Sequence, residues 1–427
     1  MKIKVIGMGA AGGKAVINLI EKGIVTKEQV LILNTTLRDV PAEYREQAVQ
    51  YLNAQGAGKD RGLAKQLCLE TIQEGKLEQL DALINDEDEL VVLVASSEGG
   101  TGSGSLPIIA KYYRHVIDLP VHCFVFTGFE EDGKGMQNTI EFFQEMDEDY
   151  TVQAIANKKF LDACGNNKLR AEKAANEEFA NRIEILIGNG RIESEQNIDD
   201  TDLYKVSTTP GYMIIGKANL DRIKNTEQFD KIVADMIDNT TSLDTHDLAL
   251  KRLGVFLNVN SRTGDIVDYN FTVFKNKLGV PYELFTHVQY DESQPESISF
   301  IASGMNMPLD EVKDIYEKYQ RETAKINTNK DKFFEFASGL KIEENKKQEK
   351  IKEMFQIKVP AQQEKKEVQE IVKDKKEFLN SFGVSFGRKS QVNNTPQQQT
   401  VVSDSLSGNN NTNKVKLTRE EYLKNNF

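Results

Sequence analysis

At 427 residues the chain exceeds one ordinary domain and leaves room for two packed domains and an appendage. Its 39% hydrophobic and 28% charged residues suit a globular protein in water, and the lack of an apolar run of spanning length excludes membrane insertion. A formal charge of −12 argues against direct contact with nucleic acid.

The opening Met1-Lys-Ile-Lys-Val-Ile-Gly runs straight into a strand without a signal-peptide pattern, which points to a cytoplasmic protein. Cys68, Cys123 and Cys164 are far apart in apolar or helical contexts and read as buried thiols in a reducing compartment, with no metal site. From residue 3 to about 165, short aliphatic runs (Ile3 to Ile6, Val30 to Leu33, Leu90 to Ala95, Val121 to Phe126) alternate with helical stretches. Runs that are apolar throughout read as strands covered on both faces, the mark of a parallel α/β sheet. Ligands of such sheets bind beyond the carboxyl ends of the strands, so the loops that follow these runs carry the chemistry.

The first such loop is Gly7-Met8-Gly9-Ala10-Ala11-Gly12-Gly13, small enough for backbone N–H groups and a helix N-terminus to approach phosphate. It also fits the dinucleotide pattern G-x-G-x-x-G, which calls for an acidic residue about 20 positions on to hold a ribose. Asn34 stands there, so an NAD-dependent oxidoreductase remains only as a distant alternative. A second glycine loop, Ser96 to Ser105, follows Leu90 to Ala95 and precedes a helix containing Ile108 to Val116. Two cradles at neighbouring strand ends suit a nucleoside triphosphate. Neither has the Lys-Ser/Thr ending of a P-loop, which leaves backbone amides, hydroxyls such as Thr101 and a metal ion to hold the phosphates.

Ala174, Ala175, Phe179, Ile183 and Leu186 give the stretch Lys168 to Ile187 the apolar surface of a long helix, stopped at Gly188-Asn189-Gly190. Beyond it, Gly211 to Gly216, Leu253 to Val259, Tyr269 to Phe274, Phe285 to Tyr290 and Ile298 to Ala302 read as strands of a smaller mixed sheet, and Pro308 opens a helix from Leu309 to about Ile326. Residues 390–414 are Asn, Gln, Ser and Thr with almost nothing to bury, so they are expected to be disordered. The last residues change again: Thr418 and Glu421 form a capping box and Leu417 a staple on Tyr422, a nascent docking helix.

With Gly99 to Gly104 reading G-G-T-G-S-G, the sequence resembles the tubulin and FtsZ superfamily over about residues 2–305. Gln55 to Arg61 resembles the family's loop facing the γ-phosphate and looks most like TubZ-type partition tubulins. The resemblance implies an α/β chain: a parallel-sheet GTP-binding domain (1–167), a central helix (168–190), a smaller α/β C-terminal activation domain (191–306), a helical extension (307–340), a flexible linker (341–416) and a docking peptide (417–427). It implies GTP/GDP and Mg²⁺ held by Gly9, Ala10, Ala11, Gly12, Asn34, Gly58, Lys59, Arg61, Gly99, Gly100, Thr101, Gly102 and Ser103, with Lys59 and Arg61 neutralising phosphate charge.

Asn157 matches a position near base and ribose, and Asn176 or Glu177 the base-reading position. Asp132 aligns with a ribose contact, while Met136 replaces an arginine. Glu98 stands where the family has glycine; a carboxylate beside phosphate repels it unless a cation intervenes or the side chain turns away, so stronger magnesium dependence is expected. Asn197, Asp199 and Asp202 match the family's N-x-D-x-x-D catalytic loop, which reaches the nucleotide of the neighbouring subunit; we read its carboxylates as lacking a local lysine partner and free to orient water. The implied partners are further copies of the chain and a DNA-binding adaptor gripping the tail, for plasmid or phage DNA segregation; the alternative is an FtsZ-like division-ring protein.

Overall fold

The computed structural model describes residues 1–76, 78–146, 149–188, 191–192, 198–220, 223–244 and 249–325. The calls on Asn197, the linker 341–416 and the peptide 417–427 lie outside them. The strands are β1 (Ile3–Met8), β2 (Val30–Asn34), β3 (Ala48–Gln50), β4 (Leu90–Ser96), β5 (Val121–Thr127), β6 (Thr151–Ala156), β7 (Gly211–Asn219), β8 (Arg252–Asn258), β9 (Glu283–Gln289) and β10 (Ser297–Met305). They form one sheet in the order β3-β2-β1-β4-β5-β6-β7-β10-β8-β9. Pairing is parallel from β3 to β7, antiparallel on both sides of β10, and parallel again between β8 and β9.

The apolar strand runs are buried on both faces because helices cover both. Val5, Ile32, Val92 and Phe124 pack with the helices Gly9–Glu21 and Lys168–Ile187 on one side. Ile6, Leu33, Leu93 and Val125 pack on the other with the helices Arg61–Gln73, Thr101–Lys111, Gly133–Glu145 and Thr226–Asp238. Consecutive residues pointing to opposite cores is the period of a strand made visible.

The helix Lys168–Ile187 runs to the expected ends, with Gly188 closing it in the left-handed region at φ 70°. Ala175, Phe179, Ala180, Ile183 and Leu186 form its buried stripe, in which Phe179, Ile183 and Leu186 each stabilise by about 1.5–3 kcal/mol. Arg182 is 1% exposed within that stripe and donates to Gln153 Oε1 (3.2 Å), Thr241 Oγ1 (2.7 Å) and Ser242 Oγ (2.9 Å), so helix, β6 and the 241–242 turn are held by one guanidinium. A helix over 309–325 matches the one expected after Pro308. No described helix is long and apolar enough to cross a membrane.

One expected strand needs correction. Tyr269 to Phe274 is not a strand: Asp268 accepts from the N–H groups of Asn270 (2.9 Å) and Thr272 (3.2 Å), and Phe271 at φ 50° opens the helix Thr272–Leu278. Phe271 and Phe274 are both buried, a spacing that suits a helical turn. Strands β3 and β6 have no counterpart among the expected runs, and β6 carries the sheet across to β7.

Candidate functional site

The carboxyl ends of β1, β2 and β4 open into a cleft of about 420 Å³ whose walls include Gly9, Ala10, Ala11, Asn34, Gly58, Lys59, Gly99, Gly100, Thr101 and Gly102. A second hollow of about 210 Å³ adjoins it, sharing Ala10, Ala11, Ser96 and Glu98 and adding Phe126, Phe129, Asn157 and Asn176. Together they make an elongated site, with small residues and helix N-termini at one end and aromatic rings and carboxamides at the other. The helices Gly9–Glu21 and Thr101–Lys111 both begin at the first part, where their unpaired N–H groups favour an anion.

The two glycine loops approach as closely as backbones can. A Cβ built on Gly102 would lie 2.8 Å from both Met8 O and Ala95 Cβ, so no side chain fits. Thr35 and Thr101 share a hydroxyl hydrogen bond of 2.8 Å across the floor. Asn34 Oδ1 accepts from the N–H of Thr35 at 2.9 Å, while its buried Nδ2 has no partner among the described residues. Asn157 Oδ1 is likewise buried and unpartnered. A donor left unsatisfied in one part and an acceptor in the other are what a polar ligand spanning both would complete, because buried polar groups without partners are costly.

Several expected residues stand elsewhere. Arg61 is 3% exposed and does not reach the cleft: it donates to Glu141 (3.1 Å), Glu145 (2.8 Å) and Ser103 O (3.0 Å), tying the second glycine loop to the helix Gly133–Glu145. Its charge is met inside the protein, which corrects the expectation that it neutralises phosphate. Lys59 does line the cleft and pairs with Asp132 at 2.5 Å; both side chains are about half exposed, so this pair holds Lys59 weakly. Asp132 is the N-cap of Gly133–Glu145, accepting from Gly135 N at 2.8 Å, and the Lys59 hydrogen bond holds its carboxyl below the usual carboxylate range. It does not line the cleft.

Gly12 sits behind the first loop against Val94, and Ser103 turns its hydroxyl back to Gly99 O. Asn176 lines the second hollow whereas Glu177 pairs with Lys22 at 2.6 Å, so the geometry brings only the first of the two to the site.

Glu98 lines both parts. Its carboxylate turns toward Gly128 and accepts from Glu130 N at 2.9 Å, and burial pushes its pKa up against the opposing pull of that hydrogen bond and of Lys59. Asn138, which nothing in its sequence surroundings marks, bonds to Lys59 O (2.9 Å) and Glu98 O (3.0 Å) and so sets the spacing of the two loops. Met136 is buried with Ile140 and Ile315, packed against the helix over 309–325, a setting that suits an apolar side chain.

Asp199 and Asp202 lie outside both hollows, at the start of the helix Asp200–Ser207. Asp199 caps it, accepting from Asp202 N at 2.7 Å. Asp202 has a lysine neighbour after all, Lys205 at 3.4 Å one helical turn on; both are partly exposed, so the carboxylate keeps access to water.

Residues 2–165 match the family described as Tubulin/FtsZ family, GTPase domain. Over 238 residues the chain is 25% identical to tubulin-like protein CetZ1 of Haloferax volcanii, covering 51% of this chain and 60% of that protein, less than two thirds of its length. Among solved structures, TubZ of Clostridium botulinum phage c-st superposes with a TM-score of 0.62 at 17% identity, over 76% of this chain and 99% of the other. A GTPγS-form protofilament of Bacillus thuringiensis serovar israelensis TubZ gives 0.63 at 17% identity, over 77% and 94%. At such identities the structures show a shared fold. The match over residues 2–165 is thus to the GTPase domain of the Tubulin/FtsZ family, and the superpositions extend the likeness in fold to about three quarters of the chain.

Proposed function

We propose that the chain binds GTP in the two-part cleft, polymerises head to tail, and hydrolyses the nucleotide where one subunit meets the next. The observation that carries this reading is the pair of unsatisfied buried groups, Asn34 Nδ2 and Asn157 Oδ1, on the walls of a site with two glycine loops at one end. The glycine-loop amides and Lys59 bind the phosphates. The carboxamides of Asn157 and Asn176 read the base and ribose, since guanine offers N–H donors that an amide oxygen accepts. Mg²⁺, when bound, would neutralise phosphate charge; phosphate oxygens and water would form most of its shell, and Thr101, Asp39 and Glu98 are among the oxygen-bearing residues that line the cleft.

Each half of the chemistry is incomplete within one chain. The cleft contains no carboxylate of the Asp199 to Asp202 turn, and that turn contains no phosphate cradle. A head-to-tail neighbour supplies the missing half, with Asp202 holding the attacking water. The TubZ of Bacillus thuringiensis supports a filament, through a structure described as a protofilament. Specific GTPase activity is then expected to rise steeply with protein concentration through an assembly threshold; a rate per subunit that stays flat across it rejects the reading, as does binding of NAD in preference to GTP.

We further propose a partition role in the cytoplasm, with the C-terminal peptide engaging an adaptor that itself grips plasmid or phage DNA. The likeness of the Gln55 to Arg61 loop to TubZ-type partition tubulins favours it over a division ring. Removing residues 415–427 should abolish adaptor capture and leave pelleted polymer unchanged; loss of polymer, or capture that persists, counts against it.

A further inference from the structure

Glu130 is the point where the helix over 309–325 meets the wall of the cleft. Its backbone is in the left-handed region at φ 56°, where a non-glycine residue stays only if its surroundings hold it. They do so from two sides. Its N–H donates to Glu98 Oε1 at 2.9 Å, while its carbonyl and its carboxylate accept from Lys318 Nζ at 2.9 and 2.8 Å. Lys158 adds a contact of 3.2 Å to the same carboxylate. Glu98 in turn lies directly over Gly128, in space that only a glycine leaves: a Cβ there would fall 1.7 Å from its carboxyl carbon. Beside this chain of contacts Met136, Ile140, Ile315 and Tyr319 pack together and seat the helix.

We propose that Lys318 is a positioning residue for the nucleotide site, fixing Glu98 and the Phe129 side of the base subsite through Glu130. The proposal rests on the reading of the cleft as a nucleotide site. Lys318 touches neither hollow, and it lies 188 residues from Glu130 on the helix that leads into residues 326–427. By linkage, a nucleotide that favours the ordered Glu98–Glu130 arrangement must favour docking of this helix, and whatever pulls the helix away must weaken nucleotide binding by the same factor.

The test uses the full-length chain and a fluorescent GDP analogue, with hydrogen exchange of peptides spanning 309–325 as a second readout. Lys318→Met keeps the aliphatic stem and removes the charge; it should weaken binding roughly three- to tenfold, the range expected for a residue that couples to a site without touching it. Lys318→Arg should restore most of that loss. In the unaltered chain nucleotide should slow exchange across 309–325, and in Lys318→Met it should not. A chain that binds no guanine nucleotide overturns the functional reading itself. Binding by the unaltered chain that Lys318→Met leaves unchanged, an Arg variant as weak as the Met variant, or exchange indifferent to nucleotide overturns the coupling alone.

Discussion

Asp202→Ala should cut phosphate release by about 10²–10⁴-fold, the contribution of a positioned general base, while the isolated subunit keeps its affinity for GTP. The separation follows from geometry. Asp202 lies on the helix Asp200–Ser207, outside both hollows, and its bonds are to Lys205 and, through its N–H, to Asp199. Removing the carboxylate takes nothing from the cleft of its own chain; in the proposed head-to-tail arrangement it takes away the group that would hold water at the next subunit's site. Because GTP is then not consumed, polymer of the variant should persist long after wild-type polymer has disassembled. The measurement is single-turnover phosphate release beside equilibrium binding. Affinity lost in parallel with rate would place Asp202 in its own subunit's pocket, and a rate within a few-fold of wild type would remove it from the chemistry.

Gly102→Ala should weaken nucleotide binding by about 10²-fold, roughly 2.7 kcal/mol, with the chain still folded. One methyl group at this position would meet Met8 O and Ala95 Cβ at 2.8 Å, and neither a backbone carbonyl nor a strand residue can swing aside. The loops must separate by several tenths of an ångström. That displaces the loop amides that line the cleft and stretches the Thr35–Thr101 hydroxyl bond of 2.8 Å. The overpacking itself costs about 1–3 kcal/mol of stability, visible as a lower denaturant midpoint with an unchanged slope. Affinity within about threefold of wild type in a demonstrably folded variant would show that the loops do not hold the phosphates.

The parts of the site that were legible from residues alone are those whose chemistry is local. A glycine loop between an apolar strand and a helix can be seen without knowing what lies opposite, and Gly9 to Ala11, Asn34 and Gly99 to Gly102 all line the cleft. What failed depended on distant partners. Arg61 looked like a phosphate ligand because Glu141 and Glu145, which neutralise it, are 80 and 84 residues away. Strand β6 was hidden by Gln153, a polar residue in the middle of Thr151–Ala156 whose amide is buried against His122 and Arg182. Asn138 was invisible for the same reason, since its three acceptors belong to two loops remote in sequence. The misreading of Tyr269 to Phe274 was of another kind: a short aromatic run carries no period that separates strand from helix, and the Asp268 cap decided it. The Lys205 neighbour of Asp202 was present in the sequence at helical spacing and went unread.

The ten-stranded sheet is narrow at one place. β5 and β6 are paired over six residues, and β10 and β8 over seven, yet β6 and β7 share only Thr151 with Gly211 and Val152 with Tyr212. Past that point the gap beside β6 is closed by the 241–242 turn, through Ala156 N to Thr241 O at 2.7 Å and the bridge between Ile155 and Ser242, and the turn is itself pinned by Arg182. At that waist two ladder pairs, one turn and one guanidinium join the flank that carries the cradle at the ends of β1 and β4 to the flank of β7, β10, β8 and β9, so the two halves of the sheet are held together there by side chains as much as by the backbone.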